Sequence, residues 1–570
     1  MNDWRIFTDT SRIAYFSMEI GLATEMPTYS GGLGILAGDT IRSAADLKLP
    51  LVAVTLVSRK GYFRQTFSAD GWQQEQPVDW RPEDFFELLP GKVVVSIDSR
   101  DVKVQAWLYR VSSPAGGEIP VLFLDTDIPG NLPEDRAITD YLYGGDNAYR
   151  LKQEIVLGIG GARLLRTLNF QIRKYHLNEG HASLLTLELL NHFRRRFHAT
   201  WEDRDSWDLR SVQESCVFTT HTPVEAGHDR FDYELVQKIM GEVVPLGLLK
   251  ELAGPKELNM TLLALNLSRY INGVAKKHGE VSKELFPGFE IHAITNGVHA
   301  FTWTSPYIMS VFDKFLPGWA NEPELLVRVD NIPDQEIWDA HYGAKAYLFQ
   351  YIEEVTGIKF DPDILTIGFA RRATAYKRAK MIFTDPERLL EIGRGKLQLV
   401  FAGKAHPHDD HGKKMIQDIQ KLAATFGDAI KLVYLPNYNM DVASRLIPGV
   451  DVWLNNPLRP LEASGTSGMK AALNGVPNFS VLDGWWIEGH IEGVTGWSIG
   501  PPPTDASAEV NHTDEDADDL YHKLETVIIP LFYQDRPGWI HVMKNAIGKN
   551  AYYFNTHVMM RRYVTEAYIR

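Results

Sequence analysis

Short, unbroken apolar runs recur along this chain and constrain its fold more than any other feature. They cover 51–57, 121–124, 216–220, 365–369, 397–401, 430–434 and 452–454. Each is too short for a helix, is rich in β-branched or aromatic residues and is followed by turn or helix signals, so each reads as a buried strand. Helical stretches such as 155–168 and 336–354 lie between them. Strands alternating with helices in both halves predict two parallel-sheet α/β domains. A length of 570 residues also exceeds one ordinary core. The seam is expected near 300–330, where Ile294-Thr295-Asn296-Gly297-Val298-His299 ends a strand. Pro306, Pro317 and Pro323 then punctuate the chain, and a new helix starts after Pro333. Two such domains bind ligands at the carboxyl ends of their strands, so the cleft between them is the natural site.

A net charge of −14 argues against a general nucleic-acid binder. It also leaves any phosphate site dependent on local cations, because the overall field repels anions. The single cysteine, Cys216, lies in an apolar run, cannot form an internal disulfide and reads as a buried structural thiol. One cysteine and scattered histidines make no recognisable metal site. The N-terminus lacks a basic segment followed by an apolar one, and no apolar run reaches membrane-spanning length. A cytoplasmic protein without membrane or nucleic-acid partners is the expectation.

Three segments carry the chemistry. In Glu462-Ala463-Ser464-Gly465-Thr466-Ser467-Gly468-Met469-Lys470-Ala471-Ala472-Leu473-Asn474-Gly475, a Gly/Ser/Thr loop opens a helix. Its free amides and the positive helix end form a phosphate cradle, with Lys470 about one turn inside. An amine beside such a cradle suits pyridoxal phosphate; a capped surface helix with a solvated lysine accounts for the same residues. In Phe369-Ala370-Arg371-Arg372-Ala373-Thr374-Ala375-Tyr376-Lys377-Arg378, four cations follow a strand. Arg372 and Lys377 could converge on one anion, as a fork and a point charge, or could begin a solvated basic helix. The third segment, Tyr29-Ser30-Gly31-Gly32-Leu33-Gly34-Ile35-Leu36-Ala37-Gly38-Asp39, lets backbone approach a ligand closely. It does not match the dinucleotide fingerprint. Asn178-Glu179-Gly180-His181, Thr220-His221-Thr222-Pro223 and Asn296-Gly297 each place polar groups at a strand end, where they could bind sugar hydroxyls or satisfy the fold.

Together these segments resemble the α-glucan (glycogen, starch, maltodextrin) phosphorylases, pyridoxal-phosphate glycosyltransferases of the two-domain GT-B fold. The resemblance spans nearly the whole chain in the family's order. It includes Gly71-Trp72-Gln73, Arg150-Leu151-Lys152-Gln153-Glu154, and the final stretch from Tyr553-Phe554-Asn555-Thr556 to Arg562-Tyr563-Val564. It implies an N-terminal glucan domain over 1–305, a cofactor domain over 306–545 and a closing helix over 546–570 that packs back on the first domain. By resemblance, Lys470 holds pyridoxal 5'-phosphate as an imine. Thr466, Ser467 and Arg371 hold the cofactor phosphate, with Tyr438 and Gly32 beside the cofactor. Arg372, Lys377, Gly32 and Leu33 surround substrate phosphate. Glu462, Ser464 and Gly465 match glucosyl-binding positions, and Asn296 and His221 match the pair near the primary hydroxyl. Lys470, Arg372, Lys377 and His221 are then the candidate catalytic set.

The implied reaction is reversible, retaining phosphorolysis of an α-1,4-glucan or maltooligosaccharide by inorganic phosphate to glucose 1-phosphate, with a homodimer as the family's habit. The chain departs from the family where Ser467-Gly468 replaces the common Gly-Asn, and where Thr374 replaces a frequent histidine. It is also shorter than the animal, plant and enteric members. A GT-B synthase using a nucleotide sugar shares the cations and the Gly-rich loop but not the lysine setting. A catalytically silent glucan-binding relative is the other alternative.

Overall fold

The computed structural model describes residues 3–195, 200–224, 227–501 and 512–569. Its strands, in chain order, are β1 (Ile13–Ser17), β2 (Leu51–Leu56), β3 (Arg64–Phe67), β4 (Gln73–Gln76), β5 (Glu87–Ile97), β6 (Arg100–Ser112) and β7 (Glu118–Asp125). They continue as β8 (Lys174–Asn178), β9 (Cys216–Thr219), β10 (Arg230–Asp232), β11 (Glu257–Asn259), β12 (Tyr270–Gly273) and β13 (His292–Ala293). The second half adds β14 (Leu365–Ala370), β15 (Leu397–Ala402), β16 (Lys431–Leu435), β17 (Val452–Asn455), β18 (Asn478–Val481) and β19 (Gly496–Ile499).

Two large sheets result. The first has nine strands in the order β13-β12-β9-β8-β1-β2-β7-β6-β5, and the second has six in the order β16-β15-β14-β17-β18-β19. The second is wholly parallel. Its strands β14 and β15 are buried at every position, which explains their unbroken apolar runs.

The expectation of parallel sheets in both halves needs correction for the first. Strand β6 runs antiparallel to both β7 and β5. Only two residues, Asp98 and Ser99, both at positive φ, separate β5 from β6, and a connection that short joins only antiparallel neighbours. Strand β5 alternates buried and exposed positions, as an edge strand with one wet face does. A search for continuous apolar runs passes over such a pattern.

Apolar cores line both faces of each sheet. Met559, Met560, Tyr563 and Tyr568, near the chain's end, bury among residues of β1, β2 and the Gly32–Asp46 helix of the first sheet. A polar latch secures this return. Asp46 Oδ2 accepts from Nε2 of both His299, at 2.7 Å, and His557, at 2.8 Å. Asp46 Oδ1 accepts from Ser113 Oγ at 2.5 Å. These bonds hold the carboxyl of Asp46 well below the usual range despite its partial burial. Asp46, His299 and His557 have ligand chemistry that sequence spacing did not reveal. Here, however, they are spent on one another, and Thr302 N–H donates to His299 Nδ1 at 3.3 Å, which leaves the His299 proton on Nε2. Cys216 is buried, and burial pushes its thiol far up. Among the described residues no helix is long and apolar enough to cross a membrane.

Candidate active site

The order of the first sheet turns at β1 and again at β7, that of the second turns once, at β14, and the three chemistry-bearing segments leave the carboxyl ends of β1, β14 and its neighbour β17. In the first sheet β1 lies between β8 and β2; in the second β14 lies between β15 and β17. Such switch points open a crevice where loops diverge to opposite faces.

After β1, Glu19 is buried and its Oε2 accepts the amides of Ser30, at 2.5 Å, and Gly31, at 3.1 Å. Tyr143 OH donates to Glu19 Oε1 at 3.0 Å. A Cβ on Gly34 would fall 2.7 Å from Tyr29 and 2.8 Å from Glu19 Oε2, so that glycine is required by packing. A Cβ on Gly32 would meet nothing within 4 Å. Gly32 begins the Gly32–Asp46 helix, so its amide and that of Leu33 have no partner one turn back.

After β14 and β17, Arg371, Lys377 and Glu462 bond directly. Arg371 Nη2 donates to Glu462 Oε1 at 2.8 Å, and Lys377 Nζ donates to Oε2 at 2.6 Å. Arg371 also donates to Asn455 Oδ1 at the end of β17. Burial alone would raise the Glu462 carboxyl; the two cations outweigh it and bring it down to about 2. Burial opposes the Arg371 charge, and Glu462 reverses that and raises the guanidinium. Asp483 accepts the amides of Glu462 and Gly484, both at 2.9 Å, yet burial pushes it up to about 7. Two neighbouring carboxyls therefore sit on opposite sides of the usual range.

Arg372 is exposed and forms no ion pair with a carboxylate among the described residues. Its Nη2 lies 2.8 Å from where a Cβ on Gly31 would stand, so the cation abuts the Gly-rich loop of the facing sheet. Tyr438 is raised by burial and feels the charges of Tyr29 and Arg371. Met440 N–H donates to Tyr29 OH at 3.0 Å, which closes the two loops on each other. The Oγ1 of Thr374 is buried without a hydrogen-bond partner.

Lys470 lies on the Thr466–Leu473 helix, whose N-cap Gly465 has φ +92°. It is only 7% exposed, and among the described residues no carboxylate or acceptor pairs with its ammonium. Instead Nζ lies 3.4 Å from the centroid of the Trp303 ring. The Trp303 indole N–H donates to Asp39 Oδ2 at 2.8 Å, on the helix that begins at Gly32. Burial lowers the amine to about 8. Thr466 and Ser467 start the helix, and Ser467 Oγ accepts from Trp453 Nε1 at 3.1 Å. The buried Oγ of Ser464 has no partner. The Ser467-Gly468 departure has a packing reason. A Cβ at Gly468 would fall 2.3 Å from Asn478 Oδ1, and Asn478 Nδ2 donates to Gly468 O at 2.9 Å. The Asn478 carboxamide occupies the space that a side chain at 468 would need.

The remaining candidates lie at ends of the first sheet. His221 Nε2 is 2.6 Å from Asn178 Oδ1, its amide donates to Glu179 Oε2 at 2.7 Å, and burial lowers the ring to about 3. It is therefore neutral near pH 7. Asn296 is buried with Oδ1 unpartnered, and no hydrogen bond joins it to His221 among the described residues. Gly297 has its own packing role: a Cβ there would fall 2.2 Å from the Asn555 backbone, where Val298 pairs with Asn555.

Glu19, Trp303, Asn455 and Asp483 belong to this region but were not singled out from the sequence. Glu19 and Asn455 had a signal, being polar groups just past the end of β1 and at the end of β17. Trp303 had none, because its contact depends on the crossing between the two sheets.

The arrangement offers a partly neutral buried amine, a cation set and unpartnered hydroxyl and amide groups around one cleft. Lys470 and the cradle at Thr466 fit an aldehyde-bearing phosphate cofactor, since the amine is buried without an acid partner. Residues 242–494 match the family described as carbohydrate phosphorylase. The chain is 40% identical to the maltodextrin phosphorylase of Thermococcus litoralis, over 98% of this chain and 70% of the relative. It is 39% identical to the glycogen phosphorylase of Mycobacterium tuberculosis, over 98% and 70%. To that of Aquifex aeolicus it is 35% identical, over 100% and 88%. Similarity of this depth along both sheets and the crossing between them places the chain in the carbohydrate phosphorylase family.

Proposed function

We propose that the protein is an α-glucan phosphorylase that cleaves α-1,4-linked glucan with inorganic phosphate and releases glucose 1-phosphate with retention. The buried amine of Lys470, which has no acid partner among the described residues and lies against the Trp303 face, carries this reading. In this reading residues 1–305 form the glucan side and 306–545 the cofactor side of a GT-B arrangement, with 546–570 returning to the first. Lys470 would anchor pyridoxal 5'-phosphate, whose phosphate group would assist proton transfer to and from the substrate phosphate.

Arg372 and the amides of Gly32 and Leu33 bind substrate phosphate from both sides of the cleft. Arg371, Thr466 and Ser467 would hold the cofactor phosphate, and Tyr438 would orient the cofactor ring. The charge of Lys377 would lower the mutual repulsion of the two anions. Neutral His221, Asn296, Glu462, Ser464 and Gly465 bind glucosyl hydroxyls. The substrate phosphate gives its proton to the glycosidic oxygen as the C1–O bond breaks. One of its oxygens then takes C1 on the same face. No second protein carboxylate is needed for the displacement, because phosphate moves the proton.

Incubation with maltodextrin and phosphate should yield glucose 1-phosphate, and borohydride reduction should leave a pyridoxyl group on the Lys470 peptide. Protein that takes up no cofactor sinks the reading and favours a nucleotide-sugar synthase. Cofactor uptake without glucose 1-phosphate favours a silent glucan-binding relative. Arg372→Ala should raise the KM for phosphate by about tenfold or more with cofactor retained. Loss of cofactor in that variant would exchange the roles of Arg372 and Arg371.

A further inference from the structure

The hairpin β3–β4 belongs to the first half of the chain but docks on the second. On it Gln65 lies opposite Glu75 and Gln73 opposite Phe67, and the two glutamines, both 1% exposed, are joined side chain to side chain. Gln65 Nε2 donates to Gly403 O at 2.9 Å and to Gln73 Oε1 at 2.8 Å, and its Oε1 accepts Asn437 N at 2.9 Å. Gln65 N in turn donates to Asn437 Oδ1 at 3.2 Å. Gln73 pairs with one residue's backbone in both senses: Ala405 N donates to its Oε1 at 2.9 Å, and its Nε2 donates to Ala405 O at 3.0 Å. A buried amide with its donors and acceptors so used fixes position as well as contact.

The backbone they grip leads to the anion-binding segment. Arg371 N donates to Ala402 O at 3.2 Å and Ala373 N to Lys404 O at 3.0 Å. Gly403 has φ +137°, and a Cβ there would lie 1.9 Å from Arg371 O, so the two loops touch backbone to backbone. Asn437 has φ +52° and directly precedes Tyr438. We propose that Gln65 and Gln73 are positioning residues: through the 402–405 loop they set the register of Arg371 and Arg372, and through Asn437 that of Tyr438. The first half of the chain would thus tune the phosphate-binding geometry of the second without touching phosphate.

The same hairpin has a second set of contacts that serves as the comparator. At its tip, Gln417 Nε2 donates to Asp70 Oδ2 and Gln420 Nε2 to Gly71 O, both at 3.0 Å. These bonds attach the hairpin to the Asp410–Phe426 helix and do not touch the loops at 402–405 or 437.

The inference rests on the phosphorylase reading for its kinetic arm only; titration of the cofactor-loaded protein with inorganic phosphate tests it separately. Gln65→Ala and Gln73→Ala should weaken phosphate binding about tenfold, short of the roughly hundredfold that a full 1 Å misplacement can cost. The KM for glucan should change by less than about twofold. Gln417→Ala and Gln420→Ala should lower the thermal midpoint and leave phosphate affinity unchanged. Asn437→Gly, which suits the left-handed backbone and removes one bond to Gln65, should weaken phosphate in a variant that folds readily. If all five variants weaken phosphate alike, or none does, the hairpin is a general staple and the proposal falls. Wild-type protein that binds phosphate but makes no glucose 1-phosphate overturns the function proposed above and leaves this comparison standing. Wild-type protein that binds no phosphate overturns both.

Discussion

Replacing Lys470 with methionine should stabilise the cofactor-free protein. Burial lowers the amine from 10.5 to about 8. At about 1.4 kcal/mol per pH unit, holding it charged at pH 7 costs roughly 3 kcal/mol. The Trp303 face, 3.4 Å from Nζ, returns about 1 to 2 kcal/mol of that. Lys470→Met, of similar volume and without charge, should therefore gain about 1 to 2 kcal/mol at pH 7. The sign of the pH dependence follows from the direction of the shift. The folded state binds fewer protons than the unfolded one, so the penalty is full below about pH 8 and fades as pH approaches 10.5. Urea unfolding of both cofactor-free proteins at pH 7 and pH 10, followed by tryptophan fluorescence, reads the difference directly. The variant's midpoint should be higher at pH 7, and the two should converge by pH 10. A variant less stable at pH 7, or a gap independent of pH, would refute the claim that Lys470 is a destabilised amine. The same shift has a functional side: a pKa near 8 leaves about a quarter of the amine neutral at pH 7.5, against about one part in a thousand for an ordinary lysine.

Three further outcomes follow from the site and its supports. Glu462→Gln strands buried Arg371 and Lys377 and should destabilise the cofactor-free protein by roughly 3 kcal/mol, with added phosphate raising the thermal midpoint more in the variant than in wild type. The Glu462 carboxyl lies at about 2 when folded, against 4.5 ordinarily, so its contribution is complete above pH 4.5 and should be lost in wild-type acid titrations as pH falls towards 2. Asp46→Asn should weaken the latch to His299 and His557 by about 2 kcal/mol and make the closing helical stretch the first site cut in limited proteolysis. Gly468→Asn should collide with Asn478 and lower the thermal midpoint, and Asn478→Ala in the same chain should restore most of the loss, a coupling that a double-mutant cycle measures.

Much of the second sheet was legible from sequence because a strand covered on both faces must be apolar throughout. The runs at 365–369, 397–401 and 452–454 match β14, β15 and β17 closely. The hairpin of β5 and β6 was less legible, since its half-wet strands alternate and resemble ordinary mixed sequence. Motif order along the chain pointed to Lys470, the cation segment and the Gly-rich loop, because each is a local string whose residue types already carry its chemistry.

What the sequence alone determined is therefore local: strand identity, the helix-opening loops and the residue types waiting at strand ends. Tertiary structure decided how those types are used. Glu462 takes both Arg371 and Lys377, which lie 91 and 85 residues away, because β14 and β17 are neighbours at a switch point. Lys470 rests on Trp303, and Gln65 and Gln73 grip loops more than 300 residues distant. No periodicity reports such pairings: a strand's burial is written in its own residues, whereas the partner of a charge is set by which strand ends the sheet order brings together.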